Sequence, residues 1–423
     1  MLPVMTTAEI KSPPNPDPGH CEVLIVGGGL VGLTLCVALA GAGVSTIVVD
    51  RDVHDVITAP DFDGRASAIA AGSRDVLATL GVWDRIAENG APAAEPILEI
   101  RVSDGASPLF LHYDFREIDQ GPLGYIVENR LIRVALLGRA AALDDAIMLQ
   151  GRNVVSLQRG RDGAGATLDD GTVISAELVI AADGRNSPLR RAAGIGVTQW
   201  EYGQTGIVCT IAHERPHRGV AQEHFLPAGP FAILPMTGNR SSLVWTERAE
   251  LAPRIMALDD DGFADELRLR FGDYLGALTP VGPKFAYPLS LVHADGYIGH
   301  RLALAGDAAH ATHPIAGQGF NLGLRDVAAL AEVIVDALRL GLDPGTTNAL
   351  ERYQRWRHFD TVAMLAVTDA LNRLFSNDVA PIRLARDLGL AAVNRSPPLK
   401  RLFMRHAMGR VGDLPRLARG EKL

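Results

Sequence analysis

Cysteine is scarce in this chain: Cys21, Cys36 and Cys209 are the only three in 423 residues, and no two form a CxxC pair. This rules out a disulfide-stapled scaffold, and it fits a reducing cytosol. Aromatics are few, at 5% of the residues. No apolar run approaches the roughly 20 residues that a membrane-spanning helix needs. Positive charge is also short, with 41 Lys and Arg against 49 Asp and Glu for a formal net charge of −8. Nucleic acid is excluded as the main partner, because a phosphate-binding surface needs a net basic footprint. The deficit is uneven: from Ala391 onward eight Lys and Arg stand against Asp413 and Glu421, a net +6 that leaves −14 on residues 1–390. A basic tail on an acidic body points to an anionic contact. Residues 1–20 are polar, carry five prolines and read as a disordered leader with no signal-peptide pattern.

Glycine, by contrast, is plentiful and placed in three strings: VLIVGGGLVG at 23–32, LVIAADGRNS at 178–187 and RLALAGDAAHATHPIAGQGFNLG at 301–323. Each joins a short apolar run to a glycine turn, and the second and third add an acidic residue. They read as three strand ends of one dinucleotide-binding sheet closing on a single FAD. In the first string EVLIV predicts a strand, the apolar spacing after GGGLVG predicts a helix, and STIVVD at 45–50 predicts the next strand. Gly27 then permits the tight turn, Gly29 lets backbone approach a pyrophosphate, and Gly32 allows close packing of helix on sheet. The helix N-terminus, from Leu30 and Val31, supplies N–H groups to the phosphates. Asp50, followed by Arg51, is placed to accept the hydroxyls of an adenosine ribose. No second fingerprint occurs, so a nicotinamide cofactor has no domain of its own.

The remaining pattern predicts an α/β fold with a Rossmann-like FAD-binding domain, an inserted and mostly antiparallel β-sheet domain for substrate, and a C-terminal helical region. Period-two alternation at 97–127 and again at 205–247 predicts strands that pair into one sheet. The expected division is discontinuous: 21–90, 128–200 and 284–345 for the cofactor, 91–127 and 201–283 for the substrate, 346–423 for the helices. In the third string Pro314 and the Gly317/Gly319 pair predict a turn that opens a long helix from about residue 318. The free N–H groups of that helix, around Gln318, Gly319 and Asn321, can stabilise negative charge on a reduced flavin. His310 and His313 lack a carboxylate or cysteine at ligand spacing, so no metal site is expected and the two histidines read as loop-positioning residues.

These strings, together with DGRASAI at 63–69, the Leu80–Trp83 turn, GDAAHATHPIAGQGFNLGLRD at 306–326 and RLFSND at 373–378, resemble the class A flavin monooxygenases with a p-hydroxybenzoate-hydroxylase-like fold. More narrowly, the chain is similar to the FAD-dependent hydroxylases of ubiquinone biosynthesis, of the 2-polyprenyl-6-methoxyphenol hydroxylase type. The resemblance spans about residues 20–410. It implies that Arg65 lies near the cofactor and that Arg130, or its neighbour Asn129, makes a polar contact with it. It also implies that Asp183-Gly184 serves cofactor and reduced nicotinamide, and that Gly306-Asp307 presents a carboxylate to a ribityl hydroxyl. The implied reaction is hydroxylation of a polyprenylated phenol through a C4a-hydroperoxyflavin, with NADH or NADPH as electron donor and dioxygen as co-substrate.

No catalytic side chain is assigned from sequence. The pocket is expected between the inserted sheet and the flavin, with Phe225, Leu234, Pro235 and Met236 as candidate walls. In the tail, Leu399, Leu402, Phe403 and His406 share one helical face, with Lys400, Arg401, Arg405 and Arg410 around it. This segment could rest on anionic lipid or on a partner in a multi-enzyme complex. The expected location is the cytoplasm, with peripheral attachment to the inner face of the membrane as its variant, and an oligomer is compatible with the sequence. Two other readings stay open: a hydroxylase of a small soluble aromatic compound, which calls for a carboxylate clamp of Arg or Tyr, and a non-catalytic flavoprotein subunit of a biosynthetic complex.

Overall fold

A computed structural model describes residues 19–59, 64–87, 93–105, 107–118, 120–377 and 379–423. The expected leader therefore lies outside the described residues up to position 18, as do Asp63 and Asp378 of the motifs above. The β-branched run at the start forms the strand His20–Val26, which pairs in parallel with Thr46–Asp50 on one side and Val173–Ala181 on the other. Ala146–Gln150 extends the parallel sheet beyond Thr46–Asp50, and Leu302–Leu304 extends it beyond Val173–Ala181. All three glycine strings thus begin at the same end of one sheet. The helix Leu30–Ala40 is buried along nearly its whole length, between this sheet and the helices Asn129–Ala140 and Gln318–Arg339. A helix apolar all round suits an element covered on both faces.

A second, eight-stranded sheet carries the inserted segments in the order His310–Ala311, Leu278–Ala294, Val197–His213, Arg240–Arg248, Gly229–Met236, Val220–Leu226, Glu99–Asp104, Phe110–Asp114. Every pairing is antiparallel except Val220–Leu226 with Glu99–Asp104, which joins the two insertions in parallel. One face packs Trp245, Phe231, Ile207 and Ile211 against the helices Ala252–Met256 and Asp260–Phe271. The other face looks toward the first sheet.

Two expectations change here. The segment 124–128 does not join the large sheet. It pairs with Ala66–Ala70 and Ala94–Ile97 in a separate three-stranded sheet, because period-two alternation marks a half-buried strand without naming its partner. The strand Leu278–Ala294 also runs through residue 284, so the large sheet extends past the expected return to the cofactor unit.

The C-terminal helices Thr347–Phe375, Ala380–Arg395 and Pro397–Ala407 close the molecule against both sheets. Phe110–Asp114 is the edge strand, and Ala380–Arg395 covers it: Asn394 Oδ1 accepts the His112 N–H at 3.1 Å, and Arg386 pairs with the buried Asp104 at 2.8 Å. Lys400 faces inward and pairs with Glu117 at 2.5 Å, so it does not belong to the basic surface expected of this segment.

Close approach at the first turn fixes the geometry of the cofactor unit. A Cβ at Gly32 would sit 1.9 Å from the Gly27 carbonyl oxygen, and a Cβ at Gly27, where φ is +110°, would sit 2.2 Å from that of Ala182. Gly32→Ala is expected to force the helix off the strand and cost about 1–3 kcal/mol, as overpacking does. A lowered thermal midpoint, compared with wild type in the absence of added flavin, checks this.

Candidate active site

The two sheets and the C-terminal helices enclose a continuous cavity of about 1180 Å³. Its first limb runs along the glycine turn. Gly27, Gly29, Leu30 and Val31 line it, with Asp50 and Arg51 at the end of the next strand. Gly29 stands at the N-cap position and, having no side chain, offers no side-chain acceptor to the first-turn N–H groups. A Cβ at Gly29 would meet nothing within 4 Å, whereas one at Gly28 would strike Asp50 Oδ2 at 2.4 Å. The turn is therefore open on the side where an anion would lie and closed against the carboxylate. Asp50 Oδ1 accepts the Asp52 N–H at 3.1 Å. Burial raises its carboxyl above the ordinary aspartate value.

The middle limb is framed by Arg65, Asp183-Gly184, Asp307, Pro314 and the start of the long helix at Gly317, Gln318, Gly319 and Asn321. Gly317 is left-handed at φ +60° and caps that helix with no side-chain hydrogen bond, so a second uncapped helix N-terminus faces the cavity. The Arg65 guanidinium lies 5.2 Å from the centre of the Tyr287 ring. Asp183 Oδ2 accepts the Leu189 N–H at 3.3 Å, and its Oδ1 is buried with no hydrogen-bond partner among the described residues. Burial raises this carboxyl too, against the lowering effect of the Ser187 hydroxyl.

Three of the cofactor-binding residues named from sequence do not line the cavity. Gly32 is packed against Gly27, as its expected role requires. Gly306, at φ +62°, packs against Val31 and donates its N–H to Asp326. Arg130 lies off the wall, and Asn129 and Arg133 take its place. Asn129 accepts from the Ser67 hydroxyl at 2.6 Å, and Arg133 donates to the Ile57 carbonyl at 3.2 Å. Asn321 reaches the cavity, but its amide is committed to backbone: it accepts from the Ala70 N–H at 2.9 Å and donates to the carbonyls of Ala68 at 2.8 Å and Gly317 at 2.9 Å. It positions the helix start instead of contacting a ligand through that amide.

Sequence reasoning missed the centre of this arrangement, Asp326. Fully buried, it accepts from the Gly306 N–H at 2.9 Å, from His310 Nε2 at 2.6 Å and from Arg357 Nε at 2.8 Å. Burial alone would raise its carboxyl; His310 and Arg357 outweigh burial and hold it below the ordinary value. His310 thus has a carboxylate partner sixteen residues away, and its role is to hold the loop. His313 is also buried, with its pKa lowered to about 4 by burial. Three possible ligand groups, Glu99, His112 and Asp114, do lie close together, but off the cavity wall, and Arg101 and Arg116 already pair with the two carboxylates.

The third limb is apolar. Gly206, Val208, Ala221, Phe225, Leu234 and Val244 form its floor on the large sheet, and Val367, Leu371, Phe375, Leu390 and Phe403 form its far wall on the C-terminal helices. Of the four expected wall residues Phe225 and Leu234 face the cavity; Pro235 and Met236 are not on its lining.

Two uncapped helix N-termini, a carboxylate at the second strand end and an unpartnered buried acceptor at Asp183 form a donor and acceptor set that fits a dinucleotide carrying a flavin. A family model described as an FAD binding domain matches residues 20–368. The chain is 57% identical over 405 residues to the ubiquinone hydroxylase UbiL of Rhodospirillum rubrum, covering 95% of this chain and 93% of that protein. It is 36% identical to the 3-demethoxyubiquinol 3-hydroxylase of Escherichia coli over 92% of this chain and 98% of that one. Among solved structures, p-nitrophenol 4-monooxygenase PnpA from Pseudomonas putida aligns with a TM-score of 0.77 at 18% identity, covering 92% of this chain and 98% of that chain, and so shares the fold. The protein is an FAD-dependent monooxygenase. Within that class it belongs to the family that contains the ubiquinone hydroxylases.

Gly29 offers a way to separate folding from cofactor binding, because its missing Cβ points into open space. Gly29→Asp is expected to give a folded protein that purifies without flavin, since it places negative charge and bulk where the pyrophosphate would lie. Visible absorbance at constant far-ultraviolet circular dichroism is the measurement.

Proposed function

We propose that this protein hydroxylates the ring of a polyprenylated phenol in ubiquinone biosynthesis, with a 2-polyprenyl-6-methoxyphenol as the preferred ring pattern. The relatives named for ubiquinone hydroxylation support the pathway. The observation that carries the substrate class is the apolar third limb. It leads from the flavin-binding region to the helical surface, where Phe403 both lines the cavity and is 44% exposed. A long hydrocarbon tail can follow that route while the ring stays at the sheet.

The chemistry supplied by bound FAD is its reduction by NADH or NADPH, reaction with dioxygen and delivery of one oxygen atom to an electron-rich ring carbon. Within this proposal the work divides among three sets of residues. Gly27–Val31 and Asp50 hold the nucleotide, Arg65, Asp183, Asp307 and the helix start at Gln318 frame the ring, and the apolar sheet face excludes water and orients the phenol. A small aromatic acid would call for a clamp of Arg or Tyr: among the described residues no Arg of the large sheet lines the cavity, and Tyr113 and Tyr287 are the tyrosines that do. Oxidation of reduced nicotinamide by the holoenzyme is expected to rise several-fold with a short-chain prenylphenol and to yield the hydroxylated ring by mass spectrometry. Equal stimulation by benzoates would favour the small-substrate reading, and absence of flavin reduction would favour a scaffold role.

We also infer a peripheral contact with an anionic bilayer through the helix Pro397–Ala407. Leu399 and Leu402 are 39% and 48% exposed, and Arg401 and Arg405 are exposed beside them. No helix among the described residues is long and apolar enough to cross a membrane. The double change Leu399→Asp and Leu402→Asp is expected to lower co-flotation with anionic vesicles about tenfold while leaving flavin content unchanged, as loss of interfacial burial requires.

A further inference from the structure

One carboxylate breaks the apolar floor of the third limb. Strand alternation turns Ala221, Glu223 and Phe225 of Val220–Leu226 toward the cavity. The pairing register then sets Glu223 in a row across the sheet with Leu111 and Val102 on one side and Ala232, Val244 and Val208 on the other. Every other member of that row is aliphatic, and the adjacent Ala232 ends at its methyl group, which leaves room beside the carboxylate. Among the described residues no hydrogen bond or ion pair reaches the Glu223 carboxylate. An unpaired ionisable group on such a surface costs several kcal/mol unless a ligand satisfies it.

The surroundings exclude a protein partner. Tyr113, offset by one row on Phe110–Asp114, and Tyr287 of Leu278–Ala294, opposite Gly206, are the other titratable side chains that line the cavity from this sheet face. From the neighbouring elements come Ile315 of the loop, Phe375 and Leu371 of Thr347–Phe375, Leu390 of Ala380–Arg395 and Met404 of Pro397–Ala407, none of them charged. The charged groups Arg65, Asp183, Arg185 and Asp307 belong to the middle limb across the cavity. Burial, with no neighbouring charge contributing, pushes the Glu223 carboxyl up to about 7.

We propose that Glu223 is a catalytic residue that binds the phenolic hydroxyl of the substrate and accepts its proton. This rests on the phenol reading given above. The proton transfer balances within the two groups: the phenolic O–H bond breaks, the proton passes to a Glu223 oxygen, and the electron pair stays on the phenolic oxygen. There it enriches the ring carbon for the oxygen atom that the FAD-dependent reaction, with dioxygen and reduced nicotinamide, delivers. No electron moves to or from the protein. As the ring recovers aromaticity, the hydroxylated carbon loses its proton to water and the phenolic oxygen takes back the proton held by Glu223. A general base works best when its pKa lies near the working pH, and such groups are typically worth about 10²–10⁴-fold in rate.

The test uses the FAD-loaded enzyme and Glu223→Gln, with Glu223→Met, which matches the apolar row, as the second variant should the amide impair folding. In the oxidised enzyme, without turnover, the perturbation of flavin absorbance is titrated with a short-chain prenylphenol and with its O-methyl ether, which has no proton to donate. Wild type above pH 7 is expected to prefer the phenol over the ether by about tenfold or more, in line with a hydrogen bond to a charged acceptor, and the variant is expected to lose that preference. In turnover, wild-type product formation per enzyme should rise with pH through about 7 as the carboxyl ionises. The variant should lie about 10²-fold lower and lack that rise. An unchanged phenol-to-ether ratio, or an unchanged pH profile in the variant, overturns the role of Glu223 while leaving the phenol reading intact. Failure of wild type to bind either compound overturns both.

Discussion

The structure depends on one buried carboxylate. Asp326 sits inside the helix Gln318–Arg339 and receives three donors from three separate parts of the chain: the Gly306 turn, the His310 loop and Arg357 of the helix Thr347–Phe375. Each donor compensates part of the desolvation that a carboxylate suffers at full burial, and none can be removed without leaving charge unpaired, a loss of about 3–5 kcal/mol in comparable pairs. The geometric effect is more important than the energy. The turn that presents Asp307, the loop that leads to Pro314 and the uncapped N-terminus at Gln318 are all referred to a single point, so the groups that line the middle limb hold fixed positions relative to one another.

The same economy governs the opposite end of the cofactor cavity. Gly27, Gly28 and Gly32 are required by what lies behind them, the Ala182 carbonyl, the Asp50 carboxylate and the Gly27 carbonyl itself, while Gly29 alone has open space in front. Glycines in one short turn therefore serve two purposes. Those facing the protein let strand and helix approach to contact distance, and the one facing the cavity leaves that part of the wall open. Polar atoms concentrate in the first two limbs and nearly vanish from the third, which separates the region that must hold charge from the region that must stay dry.

The parts of this architecture legible in the sequence are those in which chemistry and local geometry coincide. A glycine turn after an apolar run can be read because the turn, the strand end and the phosphate-binding N–H groups are consecutive in the chain, and Asp50 follows at the end of the next strand. Contacts between distant residues left no such trace. Asp326 and Arg357 are separated by 31 positions and His310 and Asp326 by 16, so neither pair has a spacing that signals contact. The choice between Asn129 and Arg130 depended on the rotation of a helix whose first residue points its side chain to Ser67. The alternation of AQEHFL did place Ala221, Glu223 and Phe225 on one face, but which face met the cavity was settled only by the pairing of Val220–Leu226 with Glu99–Asp104. Strand alternation is local information, and strand partnership is not.

The cover over the edge strand Phe110–Asp114 has a consequence for synthesis. Its backbone is capped by Asn394, which follows His112 by 282 positions, and the strand beside it, Glu99–Asp104, waits for Val220–Leu226 to supply its parallel neighbour. During translation an open β-edge thus leaves the ribosome long before the helix that shields it, and a bare edge is a template for pairing with other chains. The nascent polypeptide must keep that strand away from its neighbours until almost its last residues have emerged.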